Sequence, residues 1–142
     1  MKSRSAGIAV ALAAAAVLSG CGLTGTPPNE PPVQSGRITI GGNARTTQSV
    51  KCTQVQWSLA IEASTDPGRA EAFLQLGGEK PLVQTVNIEN IDDVHGVAGG
   101  DLGNAEASIN GGIYTITGTV VGADSAHPGQ TRTMPFEIKA PC

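Results

Sequence analysis

Two clusters of side chains in this chain are suited to chemistry. Asp92, Asp93, His95 and Asp101 share a Gly-rich stretch, and carboxylates beside an imidazole are donors a cation can use. The ordered spacing of a calcium loop is missing, so solvated turn acids account for them better. Asp124, Ser125 and His127 place a carboxylate, a hydroxyl and an imidazole in one loop, the three functions of an acyl-transfer triad. No Gly-x-Ser-x-Gly elbow frames Ser125 as a nucleophile, which leaves ordinary loop composition. Gly41-Gly42, Gly77-Gly78, Gly99-Gly100 and Gly111-Gly112 are scattered doublets, none followed by the helix and lysine of a phosphate cradle, so they read as turns and bulges. The expectation is a chain without catalytic residues, metal or small-molecule substrate.

The sulfur atoms carry more information. Met1, Lys2, Ser3 and Arg4 precede an apolar run from Ile8 to Leu18 and then Leu18-Ser19-Gly20-Cys21, the order of an export signal with its positive end held inside. The run is about half the roughly 20 residues a spanning helix needs, and no stop-transfer pattern follows it. Leu18-Ser19-Gly20-Cys21 matches the bacterial lipobox at each position. That match implies cleavage between Gly20 and Cys21, a diacylglyceryl group on the Cys21 sulfur and an acyl group on the new amino terminus. Each buried CH₂ contributes about 0.8 kcal/mol, so two or three chains anchor firmly. An ordinary secretory peptide with Cys21 as a plain thiol is the simpler alternative. If Cys21 becomes a thioether, Cys52 and Cys142 remain as an even pair in an oxidising compartment, and a Cys52–Cys142 disulfide is expected rather than two buried thiols.

Loss of residues 1–20 removes Lys2 and Arg4 and leaves seven basic against twelve acidic residues, a net charge of −5. Such a surface argues against nucleic acid as a partner. Residues 21–36 then read as a lipidated tether: Thr24, Thr26, Pro27, Pro28, Pro31 and Pro32 come with scarcely any large apolar residue, too little to offset the entropy of ordering. Thr24 and Thr26 are also candidate acceptors for O-linked sugars, although unmodified linkers share this composition.

Residues 37–142 must position whatever this chain displays, and their apolar period is two. Ile38 and Ile40 share a face; Val55, Trp57, Leu59 and Ile61 read as one face of a longer strand; Ala70, Ala72, Leu74 and Leu76 alternate in a strand, with a short helix as the alternative. Trp57 at this spacing is expected in the core rather than as a ligand platform. Residues 77–81 form a turn to Leu82, Val86 and Ile88, and residues 92–104 read as a Gly-rich crossing. Asn110-Gly111 marks a tight turn between two β-branched runs, with Tyr114, Ile116 and Val120 pointing inward. After an exposed loop at residues 122–130, Met134, Phe136 and Ile138 finish the sheet, with Pro135 placing that run at an edge or bulge. About seven short runs without a long amphipathic helix predict a single all-β domain. It is either a small antiparallel β-sandwich or a curled, partly open barrel, after a disordered N-terminal tether.

The lipobox, the Thr/Pro tether, Cys52, Gly112-Ile113-Tyr114-Thr115-Ile116-Thr117-Gly118 and Pro135-Phe136-Glu137-Ile138 ahead of Cys142 together resemble the mycobacterial nineteen-kilodalton lipoprotein antigen family. The tether here is shorter and less Thr-rich than in that family. The resemblance implies a non-enzymatic cell-envelope lipoprotein, outward-facing and held to the cell membrane by its lipid, and met by host cells as an antigen. It also implies that the acylated terminus is recognised by the lipopeptide-sensing Toll-like receptor 2. The alternative function is a periplasmic carrier whose sheet encloses a lipid or small hydrophobic ligand.

Overall fold

A computed structural model describes residues 35–142. The signal segment, the Gly20–Cys21 cleavage point, the lipidation of Cys21 and the sugar acceptors Thr24 and Thr26 lie outside the described residues.

Period-two patterning puts alternate side chains on opposite faces of an extended chain, so each alternating run becomes a strand with one buried face. Ten strands form: β1 (Arg37–Ile40), β2 (Asn43–Thr46), β3 (Ser49–Val55), β4 (Ser58–Ser64), β5 (Arg69–Gln75), β6 (Leu82–Ile91), β7 (Val94–Ala98), β8 (Asn104–Asn110), β9 (Ile113–Ala123) and β10 (Arg132–Pro141). They make one sheet in the order β2-β1-β10-β9-β7-β6-β5-β4-β3, while β8 pairs with the first part of β9. Neighbours run antiparallel throughout. The sheet is continuous and curls into a half-barrel, so the partly open barrel is the form adopted and the sandwich is not. Its concave face holds the core, with Ile38, Ile61, Leu74, Ile88, Ile116, Val120 and Ile138 all fully buried.

Three expectations change. Val55, Trp57, Leu59 and Ile61 do not share one strand face. The run breaks at a Gln56-Trp57 hairpin turn with φ of 54° at Gln56, Val55 pairs with Ser58, and only Leu59 and Ile61 are buried. Trp57 is therefore not a core residue. It is 63 % exposed, and its ring lies over Gly77, where an added Cβ would sit 3.3 Å from the indole. Residues 92–104 are not a mere crossing, because Val94 and Ala98 bury on β7, which pairs with β6 and β9. Its single alternation with His95 and Val97 outside was masked by Gly96, which faces Gly122 on β9. A Cβ on Gly122 would collide with the His95 carbonyl, so the two strands meet here only because that side chain is missing.

The β8–β9 turn forms one residue later than expected. Gly111 and Gly112 carry the positive φ angles, 59° and 78°, between Asn110 and Ile113. Pro135 sits inside β10, but β1 pairs only as far as Phe136. The Pro135 carbonyl accepts from Gly41 N–H at 2.9 Å on that side. The missing N–H thus faces the position just past the end of β1, a local edge.

The two margins of the sheet, β2 and β3, are joined by only Thr47 and Gln48. Thr47 is buried; its Oγ1 accepts from Gly36 N–H at 2.7 Å, and its own N–H donates to the Gly36 carbonyl at 3.0 Å. Gln48 N–H donates to the Ser64 carbonyl at 2.7 Å. Where β1 begins, the two margins are thereby held together.

Candidate functional site

Asp92 and Asp93 of the first polar cluster meet the second cluster at one end of the half-barrel. The β6–β7 turn supplies Asp92 and Asp93, each with positive φ, and the loop between β9 and β10 supplies Asp124, Ser125 and His127. Arg45 of β2 pairs with Asp92 Oδ1. Asp93 Oδ2 accepts from Ser125 Oγ at 3.3 Å. Asp124 organises its loop: Oδ1 accepts from the His127 backbone N–H at 2.9 Å and lies 3.0 Å from His127 Nδ1, while Oδ2 accepts from Arg132 at 2.9 Å. A cleft of about 340 Å³ opens between Asp92, Asp124, Ser125 and Arg132.

This geometry is structural. Ser125 hydrogen-bonds to Asp93, not to His127, so hydroxyl and imidazole are not coupled as a triad needs. Arg132 Nη1 lies 2.7 Å from His127 Nδ1 and places a cation where the triad would want a proton acceptor. The Asp124 carboxyl, although desolvation works to raise it, is held below its ordinary range by hydrogen bonds from the His127 ring and backbone and by the charges of His127 and Arg132. An ionised Asp124 is what a loop fastener requires. His95 stands exposed on β7, and Asp101 lies in the turn that the Gly99–Leu102 bridge closes. Among the described residues no group of His, Cys, Asp and Glu is placed to hold a metal. Arg45 and Arg132 are the members that sequence reading misses; each belongs to a different strand, and no local spacing announces their partners.

The sulfurs are placed as expected. Cys52 of margin strand β3 is bonded to Cys142 across a sequence separation of 90, with Cα atoms 5.9 Å apart. Cys142 N–H also donates to the Gly112 carbonyl at 2.9 Å, so the bridge ties β3 to the end of β10 and the β8–β9 turn. The concave face is packed with aliphatic side chains. A cleft of about 710 Å³ is an open groove where the chain enters β1, flanked by Arg37, Lys139, Ile113 and Pro141.

Comparison with known proteins agrees with this picture. The family model described as Mycobacterium 19 kDa lipoprotein antigen matches residues 29–142. Lipoprotein LppE of Mycobacterium tuberculosis is 32 % identical over 134 residues, covering 94 % of this chain and 93 % of that protein. Lipoprotein LpqH of the same species is 31 % identical over 157 residues, covering 96 % and 98 %. LpqH of Mycobacterium avium is 35 % identical over 107 residues, covering 74 % and 66 %. By the family model and the aligned relatives, the chain belongs to the mycobacterial 19 kDa lipoprotein antigen family.

Proposed function

We propose that this chain is a non-enzymatic lipoprotein of the cell envelope, fixed to the outer face of the membrane by acyl groups on Cys21. In this reading residues 1–20 are removed, residues 21–36 are the tether, and residues 37–142 are the displayed domain. The observation that supports it most is sulfur arithmetic. The bridge consumes Cys52 and Cys142, so of three cysteines the lipobox Cys21 is the one without a disulfide partner within the chain, as a thioether requires. Host recognition then resides in the acylated terminus, which fits a lipopeptide receptor such as Toll-like receptor 2, while the folded domain carries antigenic surface. The Asp124–His127–Arg132 cluster serves to order its loop. Carriage of a hydrophobic ligand finds no favouring observation, since the concave face is filled by its own side chains.

The test is replacement of Cys21 with Ala. The variant should appear in the culture fluid, and the purified protein should lose receptor-dependent signalling. Undiminished signalling by the purified, unacylated variant would overturn the assignment of recognition to the lipid.

A further inference from the structure

The two ends of the half-barrel differ in kind. One end holds Asp92 and Asp124 with their cationic partners, and Asp93 with the Ser125 hydroxyl. The other holds the Gln56-Trp57 turn, the loop at residues 76–81, the Gly111-Gly112 turn and the end of β10. Among the described residues eight large hydrophobic ones are exposed: Val55, Trp57, Phe73, Leu82, Val97, Leu102, Ile109 and Ile113. Five of these, Val55, Trp57, Leu82, Ile109 and Ile113, stand at that second end, within two residues of a turn or at the first residue of a strand.

Their arrangement follows from the register. Val55 pairs with Ser58, Ser58 with Gln75, and Gln75 with Leu82, so Val55 and Leu82 flank one outward-facing row. Beside it the Trp57 ring lies over Gly77, and the Trp57 carbonyl accepts from Leu76 N–H at 2.7 Å. The bridge to Cys142 and the Cys142–Gly112 hydrogen bond bring Ile113 to the same end. Ser58 and Gln75 stand between Val55 and Leu82 in that row, so this end presents apolar side chains interspersed with polar ones, a mixture suited to a lipid headgroup region.

The chain enters the domain at this end too, because Arg37 at the start of β1 pairs with Lys139 near the end of β10. Fourteen Cα steps separate Ser35 from Cys21, about 20 Å as a flexible coil and about 50 Å at full stretch. A lipid on Cys21 therefore keeps this end close to the bilayer. Arg37 and Lys139 line the groove there with Ile113 and Pro141, cations that can meet lipid phosphates although Lys139 also lies 4.0 Å from Glu137, while the end that holds Asp92, Asp93 and Asp124 is turned away. Tryptophan at an apolar–polar boundary is the residue that membrane interfaces favour.

We infer that the Val55–Trp57–Leu82 corner, with Ile113 and the Arg37 and Lys139 cations, is a membrane-seating surface that settles the anchored domain onto the lipid headgroups. This rests on the lipidation of Cys21 and adds an orientation to it. Short tethering supplies a high local lipid concentration, so weak individual contacts suffice.

Trp57 is the chain's one tryptophan and reports its own surroundings. The lipidated protein, purified from membranes, is incorporated into phosphatidylcholine vesicles containing phosphatidylglycerol, floated on a density gradient, and its emission read with brominated lipid or with aqueous acrylamide as quencher. The expected result is flotation, a blue shift, quenching by brominated lipid and protection from acrylamide. The paired substitutions Leu82→Asp and Ile113→Asp, both at exposed positions, should abolish the lipid quenching but leave flotation intact; Val97→Asp, at an exposed position paired with Asn87 and Val121 toward the other end, should change neither. Flotation with Trp57 still open to acrylamide overturns the seating alone. Failure to float overturns the anchor and the seating with it. A lipid-independent blue shift that grows with protein concentration shows that the corner pairs copies of the chain, and also overturns it.

Discussion

Breaking the Cys52–Cys142 bridge tests how this small core holds together. The two residues are 90 apart in sequence, and the chain-entropy relation for a loop of about that length gives a denatured-state entropy loss of about 15 cal/mol/K, or about 4.6 kcal/mol at 25 °C. Spread over the unfolding entropy of a domain of roughly 106 residues, about 0.22 kcal/mol/K, this corresponds to a fall in Tm of about 20 °C. Marginal domain stability is about 5–15 kcal/mol, so the bridge supplies a large share of it. The assay is calorimetry of the oxidised protein, of the protein held in reductant, and of the Cys52→Ala, Cys142→Ala double variant. The thioether expected on Cys21 cannot exchange, so reduction should yield one species rather than shuffled isomers. The reduced and substituted proteins should agree to within a few degrees, and amide exchange should accelerate first along β3, the margin strand that loses its tie. A drop in Tm below about 5 °C in both would refute the reasoning, since it would mean that the unbridged chain is already restricted when unfolded.

Other outcomes follow from single contacts. Ile116→Ala, at a fully buried position, should cost about 2–5 kcal/mol in urea unfolding, whereas Trp57→Ala, at a largely exposed one, should cost under about 1 kcal/mol. Gly122→Ala drives a Cβ into the His95 carbonyl and should destabilise by about 1–3 kcal/mol, with chemical-shift changes concentrated on β7. Asp124→Asn removes the acceptor for His127 and Arg132. Because the folded carboxyl titrates below its ordinary range, its contribution is present above the unfolded pKa and disappears as pH falls through the folded value. The stability gap between wild type and Asp124→Asn should therefore be visible at neutral pH, shrink with added salt and close on the acid limb.

Much of the architecture was legible because period two is a strong signal wherever one face is buried. Ile38/Ile40, Ala70/Ala72/Leu74, Tyr114/Ile116/Val120 and Met134/Phe136/Ile138 all lie inward as their spacing predicts. The misreading at Val55–Ile61 has a definite origin: a two-residue hairpin pairs residues three apart and so inverts odd–even parity, turning Val55 outward while Leu59 and Ile61 face inward, and only the positive φ at Gln56, invisible in a glutamine, marks the turn. Strand β7 was hidden because Gly96 interrupts its pattern for the sake of a close approach to Gly122, a constraint set by a strand about 25 residues away in the chain. The cysteine pairing was readable from the count alone, given the lipobox. The Arg45–Asp92 pair was not, since curling of the sheet brings β2 to the β6–β7 turn; the Arg132–Asp124 pair needs the β9–β10 register, which sets Arg132 opposite Gly122.

The fastening of Gly36 to Thr47 has a mechanical consequence. Any tug passed down from a lipid anchor reaches the fold at Gly36, and there it meets two opposed hydrogen bonds in a buried setting. Thr47 sits in the short span between β2 and β3, whose next residue is hydrogen-bonded to Ser64 at the end of β4. Tension is therefore divided between both sides of the barrel seam instead of stripping β1 away from β10 one rung at a time. A domain pulled through its N-terminal lead would thus be gripped where the pull arrives.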